Sequence, residues 1–162
     1  MFRGIKRFMM KMFREYLVYH HSSMEYRAKI LTLMVSSNDE ICECEEIKLQ
    51  EIACKIYGED IDRIVLLIDT VHEYHNKIVT NNGLNFEHLI QIVARETKEV
   101  KRFAQKIDIE LLLELHKCMK KEEDILFQRR ILEFLEELKE EFGEDMKNNI
   151  TSSSPNAQNT LT

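Results

Sequence analysis

Apolar residues recur every three or four positions along most of this chain, the spacing of helices that each turn one stripe inward. The pattern predicts seven of them. In residues 1–21, Phe2, Ile5, Phe8, Met9, Met12, Phe13 and Tyr16 fall on one side at about 100° per residue. Ser22 and Glu25 have capping-box spacing and predict a new helix carrying Tyr26, Ala28, Ile30, Leu31, Leu33 and Met34. That helix should stop within residues 36–39, where Ser, Asn and Asp compete for backbone hydrogen bonds. A third is expected over residues 43–57 with Ile47, Ile52, Ala53 and Ile56 inward, closed by Gly58. Asp60 can cap a fourth through Ile61, Ile64, Leu67, Ile68 and Val71, broken by the Asn81-Asn82-Gly83 turn. Asn85 can cap a fifth through Phe86, Leu89, Ile90 and Val93, ending near Thr97. A long sixth is read over residues 99–120, with Val100, Phe103, Ile107, Leu111, Leu112 and Leu115, and a seventh over residues 125–142, closing at Gly143. Residues 144–162 are polar, lack a periodic face and hold the one proline, Pro155; they read as a disordered tail. Leu33, Ile52, Leu115 and Leu135 are the expected core markers.

Composition narrows this to an all-α, single-domain helical bundle. With four Gly and one Pro in 162 residues, a β-fold would lack its turns. A chain of this length can bury roughly 70 % of its unfolded surface, so it needs neither disulfides nor a structural metal. Cys42, Cys44, Cys54 and Cys118 are unevenly spaced and read as reduced, intracellular thiols. No apolar run approaches the length of about 18 residues that spans a bilayer, and the N-terminus has no secretory h-region. A cytoplasmic protein is therefore expected.

Charge is uneven. Arg3, Lys6, Arg7, Lys11 and Arg14 stand against Glu15 alone in residues 1–21, a local net of +4 within a chain of net −6. These cations fall opposite the apolar side, so residues 1–21 form a basic amphipathic helix separate from the domain of residues 22–143. It can lie on an anionic membrane surface such as the inner membrane, with Phe2, Phe8 and Phe13 at the acyl boundary. It can equally pack on its own domain or on a protein partner.

Catalytic patterns are wanting. The glycines, at 4, 58, 83 and 143, form no phosphate-binding loop. Asp69 and His72, with His75 one turn on, have the spacing used by di-iron bundles, but no second acid-x-x-His pair exists; they read as a solvated face. Cys42 and Cys44 lack the CxxC spacing of zinc or redox sites. The chain is expected not to be an enzyme and to need no cofactor. Its acidity argues against nucleic acid.

An offset of 85 residues superposes the second and third helices on the sixth and seventh without a gap. Tyr26 meets Leu111, Ile30 meets Leu115, Met34 meets Met119, Asp39 meets Asp124, Ala53 meets Leu138 and Gly58 meets Gly143. Two helical hairpins about a pseudo-two-fold axis are expected. The stretch from Leu33 to Gly58 carries an acidic turn, Asn38-Asp39-Glu40-Ile41, then Glu45 early in the next helix and a Tyr57-Gly58 end. In this it resembles the TerB-like family of small helical domains related to tellurite-resistance proteins, over about residues 26–143. The resemblance implies a stress-response or interaction module in a tellurite or envelope context. It further implies a divalent-cation site at the acidic turns, here Asn38, Asp39, Glu45, Glu123 and Asp124. In place of the family's acids stand Asn38 and, in the second copy, Arg130, which lowers the local negative charge. Two functions follow as expectations: a non-enzymatic interaction module at the membrane surface, or a divalent-metal sensor.

Overall fold

The structure, a computed structural model, describes the backbone of residues 2–151 and the side chains of residues 4–7 and 22–144. It is an all-α, single-domain helical bundle with no strand among the described residues. In order come α1 (Phe2–Val35), α2 (Glu43–Tyr57), α3 (Ile61–Val79), α4 (Phe86–Glu99), a 3-10 turn (Lys101–Lys106), α5 (Ile109–His116) and α6 (Glu122–Thr151).

The C-terminal part of α1 is the axis of the fold. Ile30, Leu31, Thr32, Leu33, Met34 and Val35 are six consecutive buried residues, so this segment is enclosed on all sides rather than along one stripe. Helices α3, α4, α5 and α6 and the 3-10 turn all pack against α1. The hydroxyl of Thr32, fully buried, donates to the Ala28 carbonyl one turn back at 2.7 Å, which satisfies it without a partner outside the helix.

Around that axis the amphipathic reading holds. Leu33, Ile52, Leu115 and Leu135 are all essentially inaccessible to solvent. Asp60 and Asn85 cap α3 and α4 as expected, accepting from Arg63 N at 3.3 Å and His88 N at 2.7 Å. Gly58 ends α2 at a φ of 64°, a left-handed value that favours glycine.

Four expectations are corrected. No break occurs at Ser22, because two serines without Gly or Pro weaken a helix too little to interrupt it, and α1 runs on for 34 residues. The long sixth helix is three pieces: α4 extends to Glu99, the 3-10 turn follows, and Asp108 starts α5 by accepting from Leu111 N at 3.2 Å. Gly143 is not a helix end, since α6 continues to Thr151 into the stretch read as disordered; residues 152–162 lie outside the described residues. Ile47 and Ile61, expected inward, are 53 % and 71 % exposed. Ile47 lies opposite the buried stripe of Leu49, Ile52 and Ala53, and Ile61 is the first residue of α3, one turn before the first core position at Ile64. The repeated segments also differ in their packing: α5 and α6 touch directly, whereas α1 and α2 are both held by α3.

Two long-range polar contacts join α1 to α4, the ion pair of Lys29 with Glu96 and a buried hydroxyl relay. Thr97 donates its hydroxyl hydrogen to Val93 O at 2.6 Å, so Tyr26 Oη donates in turn to Thr97 Oγ1, also at 2.6 Å. The Tyr26 ring stacks on Phe103 with centroids 4.6 Å apart. Burial pushes the Tyr26 phenol up to about 12, so it stays a neutral donor across the physiological range. In urea denaturation, Tyr26→Phe is expected to cost about 1 kcal/mol, the scale of one net hydrogen bond. Leu115→Ala should cost about 2–5 kcal/mol, and Ile61→Ala less than about 0.5 kcal/mol.

Candidate functional site

Because α1 ends inside the protein, its last carbonyls need partners that water does not supply. A side chain from α6 and one from the following turn provide two of them, and α3 holds that turn in place. Gln128, fully buried on α6, donates from Nε2 to Met34 O at 2.8 Å. His116 Nδ1 lies 3.1 Å from Gln128 Oε1, which makes Nδ1 the protonated nitrogen and fixes the amide orientation. His75, buried on α3, donates from Nε2 to Asn38 O at 2.9 Å. Ser36 returns its hydroxyl to Thr32 O at 2.5 Å.

Beside this network lies Glu45, on the first turn of α2, with no solvent exposure. Its Oε1 accepts from Cys42 N at 3.3 Å, while Oε2 has no hydrogen-bond partner. Burial pushes its carboxyl above the ordinary value; the Cys42 donors and then His75 pull it back, and Asp124 pushes it up. The result is a carboxyl that gains a proton more readily than one in water.

The two inter-helix turns converge here. Asn38, Glu40 and Cys42 from the first, with Lys120 and Lys121 from the second and Asp124 from the first turn of α6, line an open cleft of about 870 Å³. A disulfide between Cys44 and Cys118 joins them, with Cα atoms 5.7 Å apart. This corrects the expectation that all four thiols are reduced: helices α2 and α5 bring together two cysteines 74 residues apart, a proximity no local spacing encodes. Cys42 and Cys54 are free and exposed.

The five residues named for a cation site have separate surroundings. Asp39 and Glu123 are exposed, Asn38 and Asp124 share the cleft, and Glu45 is buried beside it. Among the described residues, no group of three or more His, Cys, Asp or Glu is placed to hold a metal ion. Lys48, Lys120 and Lys121 also line the cleft, Lys48 in ion pairs with Glu51 and Glu114. His72 and His75 are not a uniformly solvated face: His75 is buried, and His72 pairs with Glu46 at 2.9 Å. Of the basic helix, Lys6 and Arg7 are exposed; the side chains of Phe2, Arg3, Phe8, Lys11, Phe13 and Arg14 lie outside the described residues. No described helix is long and apolar enough to cross a membrane.

Comparison with family models, with curated proteins and with solved structures gives no match for this chain.

Gln128 and His116 belong to no motif in the sequence, His75 is buried rather than on a solvated face, and Cys44 and Cys118 are paired rather than free. A signal for two of these was present. Gln128 lies three, four and seven residues before Ile131, Leu132 and Leu135, and His75 lies four and eight after Val71 and Leu67, so both occupy core stripes.

Two outcomes follow. Reduction of Cys44–Cys118, or Cys44→Ser, should lower stability in urea by up to about 4 kcal/mol, the loop-entropy value for a ring of this size. For Glu45, a raised carboxyl means that its favourable contribution is present below the ordinary carboxylate range and is lost as pH rises through the folded value. Glu45→Gln should therefore gain stability relative to wild type between about pH 4 and about pH 7. Unfolding midpoints at the two pH values check the sign.

Proposed function

We propose that this chain is a non-catalytic, TerB-like interaction module that docks on an anionic membrane surface through the start of α1. One observation carries the reading. At 34 residues α1 is about 51 Å long, and the described side chains near its start carry no burial. Gly4, Ile5, Lys6 and Arg7 are all exposed, with Ile5 at 61 %. Exposure at residues 4–7, in a stretch whose sequence pattern sets cations opposite Phe and Met, fits the chemistry of an interfacial helix. Each basic residue near an anionic leaflet contributes about 1 kcal/mol, enough together for reversible association. The absence of any catalytic constellation in the sequence, and the resemblance of residues 33–58 to TerB-like turns, support a docking role at the cytoplasmic face in a stress context.

A second reading, a divalent-cation sensor, draws on the convergence of the two turns beside the unpartnered Oε2 of Glu45. The lysines in the same cleft weigh against it. Calorimetry with Ca²⁺, Mg²⁺ or Zn²⁺ is expected to give no site tighter than about 10⁻⁴ M, too weak for a sensor. Micromolar binding lost in Glu45→Gln would favour the sensor instead.

The docking reading is tested by vesicle flotation. The full chain should float with phosphatidylserine-containing vesicles at about 0.1 M salt, less so at about 1 M as the Debye length contracts from about 10 Å to about 3 Å. Replacing Arg3, Lys6, Arg7, Lys11 and Arg14 by Gln should abolish flotation. A full chain that ignores anionic vesicles at low salt refutes the proposal.

A further inference from the structure

On another part of the bundle, α1, α2 and α5 enclose a pocket of about 80 Å³. Its floor is apolar: Ile30, Ile52 and Leu112 are core residues, and Ile56 is half-buried. Its walls are cationic, carrying Arg27 from α1 and Lys106 from the 3-10 turn. Among the described residues neither forms an ion pair; Arg27 instead sits over the Tyr57 ring at 5.8 Å. The one acid lining the pocket, Asp108, uses Oδ1 to cap α5. Burial, then Arg27 and Arg102 nearby, holds the Lys106 ammonium below its ordinary value. Two cations are thus held at the rim of an apolar hollow, neither in an ion pair with the one carboxylate beside them, in a chain that is acidic overall.

We propose that this pocket binds a short aliphatic carboxylic acid, its methylenes on Ile30, Ile52 and Leu112 and its carboxylate between Arg27 and Lys106. The volume admits about three water-sized groups, which suits a chain of a few carbons and no more. A planar carboxylate can take two parallel hydrogen bonds from a guanidinium while an ammonium approaches as a point charge. Phosphate is disfavoured, because its further oxygens would lie unpaired against Ile and Leu side chains.

The test is an NMR titration of the full chain with sodium butyrate at fixed ionic strength, read at the isoleucine and leucine methyl groups. Saturable shifts are expected at Ile52, Ile56 and Leu112. Shortening the ligand to propionate and then acetate should weaken binding about fourfold per methylene. Arg27→Gln and Lys106→Gln should each weaken it about tenfold or more. Both positions are only partly buried, so these variants should fold; Ile56→Phe, which fills the hollow, provides a second route and should abolish the shifts while circular dichroism stays helical. The proposal is overturned if butyrate gives no saturable shift, if n-butanol, n-butylammonium or phosphate perturbs the same methyls as strongly, or if both charge variants bind as the wild type does.

Discussion

A helix enclosed on every side has nowhere to place the unpaired carbonyls of its last turn, and the rest of this bundle is arranged around that constraint. Six consecutive residues of α1, from Ile30 to Val35, are buried. Apolar burial there is favourable only if the polar groups at the end of the helix are satisfied within the protein. Gln128 on α6 and Ser36 meet that demand at Met34 O and Thr32 O, and His75 on α3 holds the turn that follows at Asn38 O. Helices distant in sequence are therefore held at one end of the axis by directional bonds as well as by contact area.

That requirement also explains why the two inter-helix turns meet. His75 draws the first turn onto α3, and Gln128, itself oriented by His116, draws the end of α5 and the start of α6 toward the same place. Once both turns are close, Cys44 and Cys118 lie within bonding distance, and Glu45 is sealed beneath them with one oxygen unpaired. Lysines from α2 and from the second turn also line the cleft. Polar burial, convergence of turns and covalent closure are thus successive consequences of one buried helix end.

The helices were largely legible in the sequence because each amphipathic stripe is a local property. Leu33, Ile52, Leu115 and Leu135 are buried as their spacing implies, and the caps Asp60 and Asn85 act as their positions suggest. The misread boundaries have a common cause: two serines at 22 and 23 do not stop a helix that tertiary packing favours, while Asp108, inside an apolar run, does start one. At the candidate site the reading was poorer. His75, expected on a solvated face, is buried on α3, and Glu45 and Gln128 likewise occupy inward positions of α2 and α6. His75 pairs with a carbonyl 37 residues away, Gln128 with a carbonyl 94 residues away and an imidazole 12 away, and Glu45 with a turn end three residues off; hydrophobic periodicity carries no record of such pairings. The disulfide was invisible for the same reason.

The bond between Cys44 and Cys118 also divides the chain mechanically. A force applied at the two ends would run along α1, cross at the sulfur atoms and leave through α6, and α3 and α4 would lie outside the tensioned path. The 74 residues of the ring could add about 250 Å of extended contour, and the covalent bridge withholds that length for as long as it stays oxidised. Tethered at a surface by one end and loaded at the other, the oxidised protein would be a short, stiff link; the reduced protein would be a long one.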